Sequence, residues 1–354
     1  MDLKILPLPA PKARPADESQ LGFGKLFTDR MFVMEYATGK GWHSARIQPY
    51  GPFSLDPATA VLHYAQEIFE GLKAFRRDNG SIALFRAIDN VRRFNRSAAR
   101  MCMPEVDEAF FLDAIRELVR LEADWVPRSA GTSLYIRPTM IAVDPYLGVH
   151  PSDTYLCYVI LSPVGAYYKG GFSPVRIWIS DDHVRAAMGG TGEAKTGGNY
   201  AASLKASMEA SARGFDQVLW LDAEHRNYVE EVGSMNMCFV VDGKVLTSPL
   251  RGTILDGVTR RSILALVNDL GVEVDERALS VDEIFETIAS GRMTEAFGTG
   301  TAAVVSPVGQ FTYRDRTATL GDGKAGAFTM KLYEMLTGIQ YGRLPDKHGW
   351  VETL

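Results

Sequence analysis

The stretch Gly189–Tyr200, GGTGEAKTGGNY, decides how this chain is read. Its glycines and its Lys195-Thr196 pair resemble a phosphate-binding loop. Such a loop requires G-x-x-x-x-G-K-[ST], where the last glycine lets main-chain N–H groups approach the phosphate. Ala194 stands at that glycine's position, so a methyl group obstructs the approach. A second glycine motif, Gly298–Ala303 (GTGTAA), matches G-x-G-x-x-[GA]. A dinucleotide fold needs a helix after it, and the AAVVSPVGQF that follows is β-branched and stopped by Pro307. A third, Gly22–Lys25, is too short to count. Tight turns explain the glycines of all three, because glycine supplies positive φ and close backbone approach. They leave Lys195 and Thr301 unexplained.

Working outward, the chain has 354 residues, a length that suggests two domains. It is 46% hydrophobic and 23% charged, enough apolar material for full cores. The formal net charge is −5 with no basic stripe, which argues against nucleic acid as a partner. The three cysteines, Cys102, Cys157 and Cys238, form no C-x-x-C pair, so neither a disulfide framework nor a zinc ribbon is expected. A reducing, cytoplasmic setting fits. The opening MDLKILPLPAPKARPADES is broken by prolines and does not resemble a secretory signal. The longest apolar run, YLCYVILSPVGAYY, is too short to span a membrane.

The first twenty residues read as a loosely held arm. Two strands flank the Thr38–Gly41 turn. ATAVLHYAQEIFEGLKAF carries apolar residues at helical spacing (Val61, Leu62, Ala65, Ile68, Phe69, Leu72) and reads as a helix. DNVRRFNRSAARMCMP is a helix with Asp89 or Asn90 as cap, and Asp107 caps the next one. SLYIRPTMIAV and TYLCYVILSPV are β-rich. A composition change at residues 165–174 marks an interdomain linker between a smaller domain, 1–164, and a larger one, 175–354. Beyond it, Asp242-Gly243 marks a hairpin and Ser280–Glu283 a capping box. The expected fold class is α/β (α+β).

Polar residues inside apolar strands are the informative ones. Glu230-Glu231 interrupts YVEEVGSMNMCFVV, and strand alternation turns one of the two inward. A buried carboxylate needs a positive partner; on spacing alone, a structural salt bridge or a solvated edge is the favoured account. Arg137 interrupts SLYIRPTMIAV. Arg92, Arg93, Arg96 and Arg100 cluster on a helix, as a solvated face or an anion site. The six histidines form no ligand pair, so no metal is expected, and no G-x-S-x-G elbow is present. These residues describe a two-domain enzyme candidate with an unusual lysine, and name no reaction.

A family resemblance names one. FEGLKAF (69–75), the helix within LFRAIDNVRRFNRSAARMCMP, SLYIRP (133–138), PVGAYYKGG (163–171), GTGEAKTGGNYAAS (190–203), EVGSMN (231–236), GVTRRS (257–262) and FGTGTAAV (297–304) occur in the order found in branched-chain amino-acid aminotransferases. The chain resembles that family from about Phe23 to its end. The family belongs to the fold-type IV, class IV enzymes that use pyridoxal 5'-phosphate. The resemblance implies a small α/β domain, a larger pseudo-barrel domain, a homodimer, and the cofactor between the domains. It also implies reversible, ping-pong transfer of an amino group between L-leucine, L-isoleucine or L-valine and 2-oxoglutarate, in amino-acid biosynthesis.

Residue roles follow from the same resemblance. Lys195 matches the catalytic lysine that carries the cofactor. Free lysine has a pKa near roughly 10.4 and is a poor nucleophile at neutral pH until its surroundings lower it. Glu231 matches the carboxylate facing the pyridine nitrogen, with Glu230 its outward neighbour. Tyr200 matches the partner of the phenolic oxygen. Arg93, Val258, Thr259 and Thr301 match phosphate contacts. Phe23, Tyr64, Phe69, Tyr135 and Tyr167 match the substrate pocket, and Val149 a residue lent by a second subunit. Arg137, with Tyr64 and Tyr135, is a candidate for the second carboxylate of glutamate, and the Thr301-Ala302 turn for the α-carboxylate. D-Amino-acid aminotransferases and aminodeoxychorismate lyases share the fold; FEGLKAF and SLYIRP argue against them. Mammalian members carry C-x-x-C after the Gly-Thr-Ala turn. Ala303 and Ser306 stand there in this chain, so a bacterial-type enzyme without that thiol pair is implied.

Overall fold

The computed structural model describes residues 1–165 and 172–354. They fall into two compact units. The first comprises Met1–Tyr167, Ala194–Gly197 and Ile339–Leu354, and the second Tyr168–Glu193 and Gly198–Gly338.

In the first unit the strands are β1 (Lys4–Ile5), β2 (Arg30–Ala37), β3 (Gly41–Pro49), β4 (Glu67–Phe69), β5 (Leu72–Arg76), β6 (Ile82–Phe85), β7 (Ser133–Ala142) and β8 (Thr154–Val164). The helices are α1 (Ala60–Tyr64), α2 (Ala87–Arg100) and α3 (Glu108–Leu121). The sheet runs β1-β3-β2-β8-β7-β5-β6, with the chain's last strand, Val351–Thr353, beyond β6 and β4 paired to β7. β7 and β8 are antiparallel in unbroken register from Ser133↔Val164 to Ala142↔Tyr155. Alternation along β7 sends Leu134, Ile136 and Met140 into a core shared with α2 and α3, where Phe94 stacks on Phe111 with ring centroids 5.5 Å apart. Fully burying one such ring contributes about 1.5–3 kcal/mol. The same alternation reserves the opposite face of β7 for Tyr135, Arg137 and Thr139.

Two expectations change here. The helix read over ATAVLHYAQEIFEGLKAF is one turn only. Ala65 adopts a left-handed φ of 49° and ends α1, and the rest becomes β4 and β5. Leu62, assigned to the apolar face, is 60% exposed. Glu67, Ile68 and Phe69 pair with Ile141, Met140 and Thr139 of β7. The ladder offered by β7 outweighs a helical spacing that short apolar runs share with strands. The helix α2 begins at Ala87, ahead of the expected cap, with Arg86 bonded to Asp89 at 2.7 Å instead. By contrast, Asp107 caps α3 by accepting from the Phe110 N–H at 2.8 Å, as expected.

The second unit contains β9 (Val175–Ile179), α4 (Gly197–Ala201), α5 (Leu204–Ala212), β10 (Gln217–Leu221), β11 (Val229–Val232), β12 (Met235–Val241), β13 (Lys244–Thr247), α6 (Val258–Asp269), β14 (Val274–Glu276), α7 (Val281–Ala289), β15 (Met293–Gly300), β16 (Val304–Tyr313), β17 (Arg316–Thr319) and α8 (Ala327–Tyr341). Its sheet runs β11-β10-β9-β16-β15-β12-β13-β14, and β11 also pairs with β12. That extra pairing closes the strands from β11 through β12 into a ring, the pseudo-barrel. The inside is filled by residues such as Phe239 and Phe311. Asp242-Gly243 forms the expected hairpin between β12 and β13. The GTGTAA segment is a strand, a turn and a strand, so the dinucleotide reading fails on its missing helix.

The arm at the start of the chain is fastened, against the expectation of a loose segment. β1 pairs in parallel with β3. Buried Asp29 accepts from the Lys12 N–H at 2.7 Å, from Arg14 at 2.9 Å and from the Trp125 indole at 2.9 Å. The Arg14 guanidinium lies 4.3 Å from the Trp125 ring centroid. Burial raises the Asp29 pKa, but these donors outweigh it and hold the carboxyl below its ordinary value. With a depressed folded pKa, the anchoring is present above the unfolded carboxylate range and is lost as pH falls through the lower folded value. We expect Asp29→Ala to free the arm, so that trypsin cuts after Lys12 at least about tenfold faster in limited proteolysis followed by mass spectrometry.

Candidate active site

In the first unit the main chain of Lys195 is held from both sides. Its N–H donates to Ser97 Oγ of α2 at 2.9 Å, and its carbonyl accepts from the Phe69 N–H of β4 at 2.9 Å. The Thr196 hydroxyl donates to the Glu67 carbonyl at 2.7 Å. The lysine segment thus lies along β4, and its side chain comes over the Phe69 ring, with Nζ 4.8 Å from the centroid. Arg137 approaches the same ring, its guanidinium carbon 4.7 Å from the centroid, and donates to the Tyr135 hydroxyl at 3.1 Å. Phe23 meets Tyr135 edge-on at 5.0 Å. Phe23, Phe69, Tyr135, Arg137 and Lys195, all expected at the site, are therefore neighbours in this unit.

Glycine makes two of these approaches possible by having no side chain. A Cβ on Gly71 would lie 2.0 Å from the Tyr135 hydroxyl. One on Gly197 would lie 1.9 Å from Glu67 Oε1. Burial, opposed by Arg137, raises the pKa of that Glu67 carboxyl. Lys73, the register partner of Tyr135, is buried as well, and burial pushes its ammonium down to about 8.

Arg93 lies on the buried side of α2, which removes the solvated-face reading for that residue. Its Nε and Nη2 donate to Glu70 at 2.6 and 2.9 Å. Burial raises the pKa of Glu70, yet Arg93, the Lys195 charge and the Asn90 amide outweigh it and hold the carboxyl low. Glu70 and Asn90 were not singled out from the sequence as site residues, because a glutamate in a presumed helix carries no sign of burial. Tyr64 stands apart from the Phe69 group and donates to the Leu147 carbonyl, in the loop where Val149 is 85% exposed. Tyr167 lies outside the described residues, as does most of the 165–174 linker.

In the second unit Glu231 is buried and its carboxylate is fully engaged. Oε2 meets the Arg185 guanidinium at 2.7 Å. Oε1 accepts from Asn236 Nδ2 at 3.0 Å and from the Leu255 N–H at 3.3 Å. Asn236 also donates to the Leu255 carbonyl at 2.8 Å. A Cβ on Gly257 would lie 2.0 Å from Asn236 Oδ1, so the glycine lets this amide reach the start of α6. Val258 and Thr259, both buried, open that helix, which has no side-chain cap. Its first N–H groups have no acceptor within the helix and form the positive end of the dipole. Thr301 and Ala302 form the turn between β15 and β16. Tyr200 is half-buried in α4, and Asn199 beside it clips the glycine loop by bonding both the hydroxyl and the carbonyl of Thr191 at 2.8 and 2.7 Å. Arg185 was missed in the sequence, where it stands ahead of the glycine run without a motif of its own.

One expectation is overturned. Glu230 does not face solvent; it is 6% exposed, against 3% for Glu231. Both faces of β11 are covered, so strand alternation separates the two carboxylates without exposing either. Burial raises the Glu230 pKa, with Thr253 and Arg185 opposing and the Glu231 and Asp222 charges adding to the rise.

Two substitutions probe the first unit. Glu70→Ala removes the buried carboxylate that accepts two Arg93 bonds and should cost about 3–5 kcal/mol, read as a lower denaturant midpoint. Gly71→Ala displaces the Tyr135 hydroxyl and the bond it accepts from Arg137, so we expect KM for substrates to rise about tenfold while thermal stability falls by much less than in the Glu70 variant.

The family described as Amino-transferase class IV matches residues 67–311. Branched-chain-amino-acid transaminase 1 of Bacillus subtilis (strain 168) is 53% identical over 340 residues, 96% of this chain and 95% of the relative. Branched-chain-amino-acid aminotransferase 2 of the same organism is 50% identical over 96% and 93%. Among solved structures, the branched-chain aminotransferase from the thermophilic archaeon Thermoproteus uzoniensis with norvaline superimposes with a TM-score of 0.76 at 25% identity, covering 92% of this chain and 99% of that one. A T.th. branched-chain amino acid aminotransferase with pyridoxamine 5'-phosphate also gives 0.76, at 30% identity over 91% and 97%. With a family match across residues 67–311 and about half of its residues shared with the Bacillus relatives along nearly its whole length, the chain belongs to the class IV aminotransferases, in their branched-chain amino-acid group.

Proposed function

We propose that the protein is a branched-chain amino-acid aminotransferase, which moves the amino group between L-leucine, L-isoleucine or L-valine and 2-oxoglutarate, reversibly and in two half-reactions. The observation that carries this reading is Lys195. Its main chain is clamped at both N–H and C=O while its amine lies over an aromatic ring beside Arg137.

The residues fit pyridoxal 5'-phosphate, the cofactor of the family. A guanidinium 2.7 Å from Glu231 favours the anionic carboxylate, the form that accepts a hydrogen bond from a protonated ring nitrogen. The uncapped start of α6 suits a phosphate. When bound, the cofactor supplies an aldehyde carbon that takes up amino groups and a ring that accepts the electron pair left at the substrate Cα.

In this reading Lys195 is the catalytic residue. Its amine would hold the cofactor at the aldehyde carbon, and as a free amine it would move a proton from the substrate Cα. Glu231 would keep the ring nitrogen protonated, and Arg185 and Asn236 hold Glu231 in place. Tyr200 bonds the phenolic oxygen. Val258, Thr259 and Thr301 of the second unit would hold the phosphate; in the first unit Arg93, whose guanidinium plane is set by Glu70, is the phosphate-binding candidate. Phe23, Phe69, Tyr64, Tyr135 and Tyr167 wall the branched side chain away from water. Arg137 with Tyr135 receives the second carboxylate of glutamate, and the Thr301-Ala302 turn receives the α-carboxylate.

The working form is a homodimer in which Val149 of one copy serves its partner. Support comes from the exposure of Tyr146, Leu147 and Val149 together in one loop, an apolar cluster that a second copy would cover. No helix among the described residues is long and apolar enough to cross a membrane. The three cysteines are free thiols, which supports a cytoplasmic setting.

Purified protein should be yellow, and L-leucine should convert its spectrum to that of the pyridoxamine form while D-alanine does not. A spectrum unmoved by all three branched amino acids would refute the assignment. Lys195→Ala should lower turnover at least about 10³-fold with circular dichroism unchanged.

A further inference from the structure

Glu230 lies on the reverse face of β11 from Glu231, and its chemistry is not used by the reaction. It lines a cavity of about 710 Å³ that includes none of the residues placed in the catalytic or cofactor set. The floor is formed by Val229, Glu230, Ser248, Thr253 and Ile254, all buried. Met188, Tyr228 and Arg251 stand exposed at its mouth. Glu230 Oε2 is buried and has no hydrogen-bond partner among the described residues. Leaving such an oxygen unsatisfied is costly, so the group is set to accept a donor that enters from the cavity.

The charges around the cavity select the sign of that donor. Asp222 also lines it, and its carboxylate is held as an anion by the N–H groups of its own turn, those of His225, Asn227 and Tyr228, at 2.7, 3.0 and 2.7 Å. Glu224 adds a second carboxylate, and the exposed His225 imidazole in the lining lies against both, 3.2 Å from Asp222 and 4.0 Å from Glu224, away from Glu230 on the floor. Glu231 lies one residue along the strand, and its charge is met by Arg185. The guanidinium in the lining, that of Arg251, is exposed at the rim. A positive ligand is therefore favoured at the floor. A metal ion is not, because among the described residues no group of three or more His, Cys, Asp or Glu is arranged to hold one. The remaining wall, with Ala187, Val229, Pro249, Ile254 and Ala278, is apolar.

We propose that this cavity is a second ligand site, which takes a small organic cation: an ammonium directed at Glu230, joined to a compact apolar body. The proposal is independent of the transamination reading, since it rests on a cavity within the second unit and on a carboxylate that reading leaves idle. Glu230 and Glu231 share β11, and Arg185 bonds one while lying in the field of the other. Occupancy of the cavity is thus placed to be felt at Glu231.

The test uses a tertiary amine, N,N-dimethyl-3-methylbutylamine, which cannot condense with an aldehyde and so does not report on Lys195 chemistry. Isothermal titration of the holoenzyme should give saturable binding with one site per chain. Glu230→Gln should weaken it at least about tenfold, because a charge-assisted bond is replaced by a neutral one. Ala223→Trp fills the cavity without touching the carboxylate and should weaken binding as much, which covers the case in which the Glu230 variant does not fold. Isoamyl alcohol, of similar shape and no charge, should not compete. Absence of saturable binding, unchanged affinity in either folded variant, or equal binding of the alcohol would each overturn the proposal.

Discussion

Two hydrogen bonds on the main chain of Lys195 organise the first unit of this protein. A lysine side chain has four rotatable bonds and carries its amine far from its own backbone, so the amine is positioned only if the backbone is. Ser97, 98 residues away in sequence, takes the N–H, and Phe69 supplies a donor to the carbonyl. The consequences spread from there. Phe69 must belong to a strand for its N–H to point at the lysine segment. That strand must pair with β7, which sets Tyr135 and Arg137 on the same face. Gly71 must lack a side chain for the Tyr135 hydroxyl to fit. Ser97 must be buried, and so α2 turns its Arg93 side inward against Glu70.

The second unit rests on an equivalent constraint, a buried carboxylate. Glu231 can stay charged away from water only because Arg185, Asn236 and the Leu255 N–H surround it. Asn236 is the pivot. It serves the carboxylate and the segment leading into α6 together, and it reaches that helix because residue 257 is glycine. A helix start, whose dipole favours an anion, is thereby tied to a carboxylate, which favours a cation. This suits a ligand carrying a phosphate at one end and a protonated nitrogen on its ring.

Much of this was legible as motifs and little of it as contacts. EVGSMN and GVTRRS were visible as separate signatures, but nothing in their spacing states that the asparagine of one abuts the glycine of the other. Arg185 left no trace, since a single arginine before a glycine run reads as a solvated charge. Phe69 was assigned to the wrong element, a helix where the chain forms a strand. Its apolar neighbours satisfy a helical period over a few residues, and only pairing with β7 distinguishes the strand. Glu230 was set outward by alternation, a rule that assumes one open face; β11 has none.

The sequence alone determined the class of chemistry, because a series of short motifs in the order found in branched-chain aminotransferases identifies the family before any contact is known. It also determined the strands of both sheets wherever apolar runs were long, and the Asp107 cap, whose bond spans three residues. Tertiary structure alone decided the register of β4 on β7, the partners of Arg93 and Glu231, the closure of the ring through β11 and β12, and the burial of Glu230. Each of these depends on a donor and an acceptor, or two packed faces, that lie far apart along the chain. The free energy that selects them arises only when those groups leave water together.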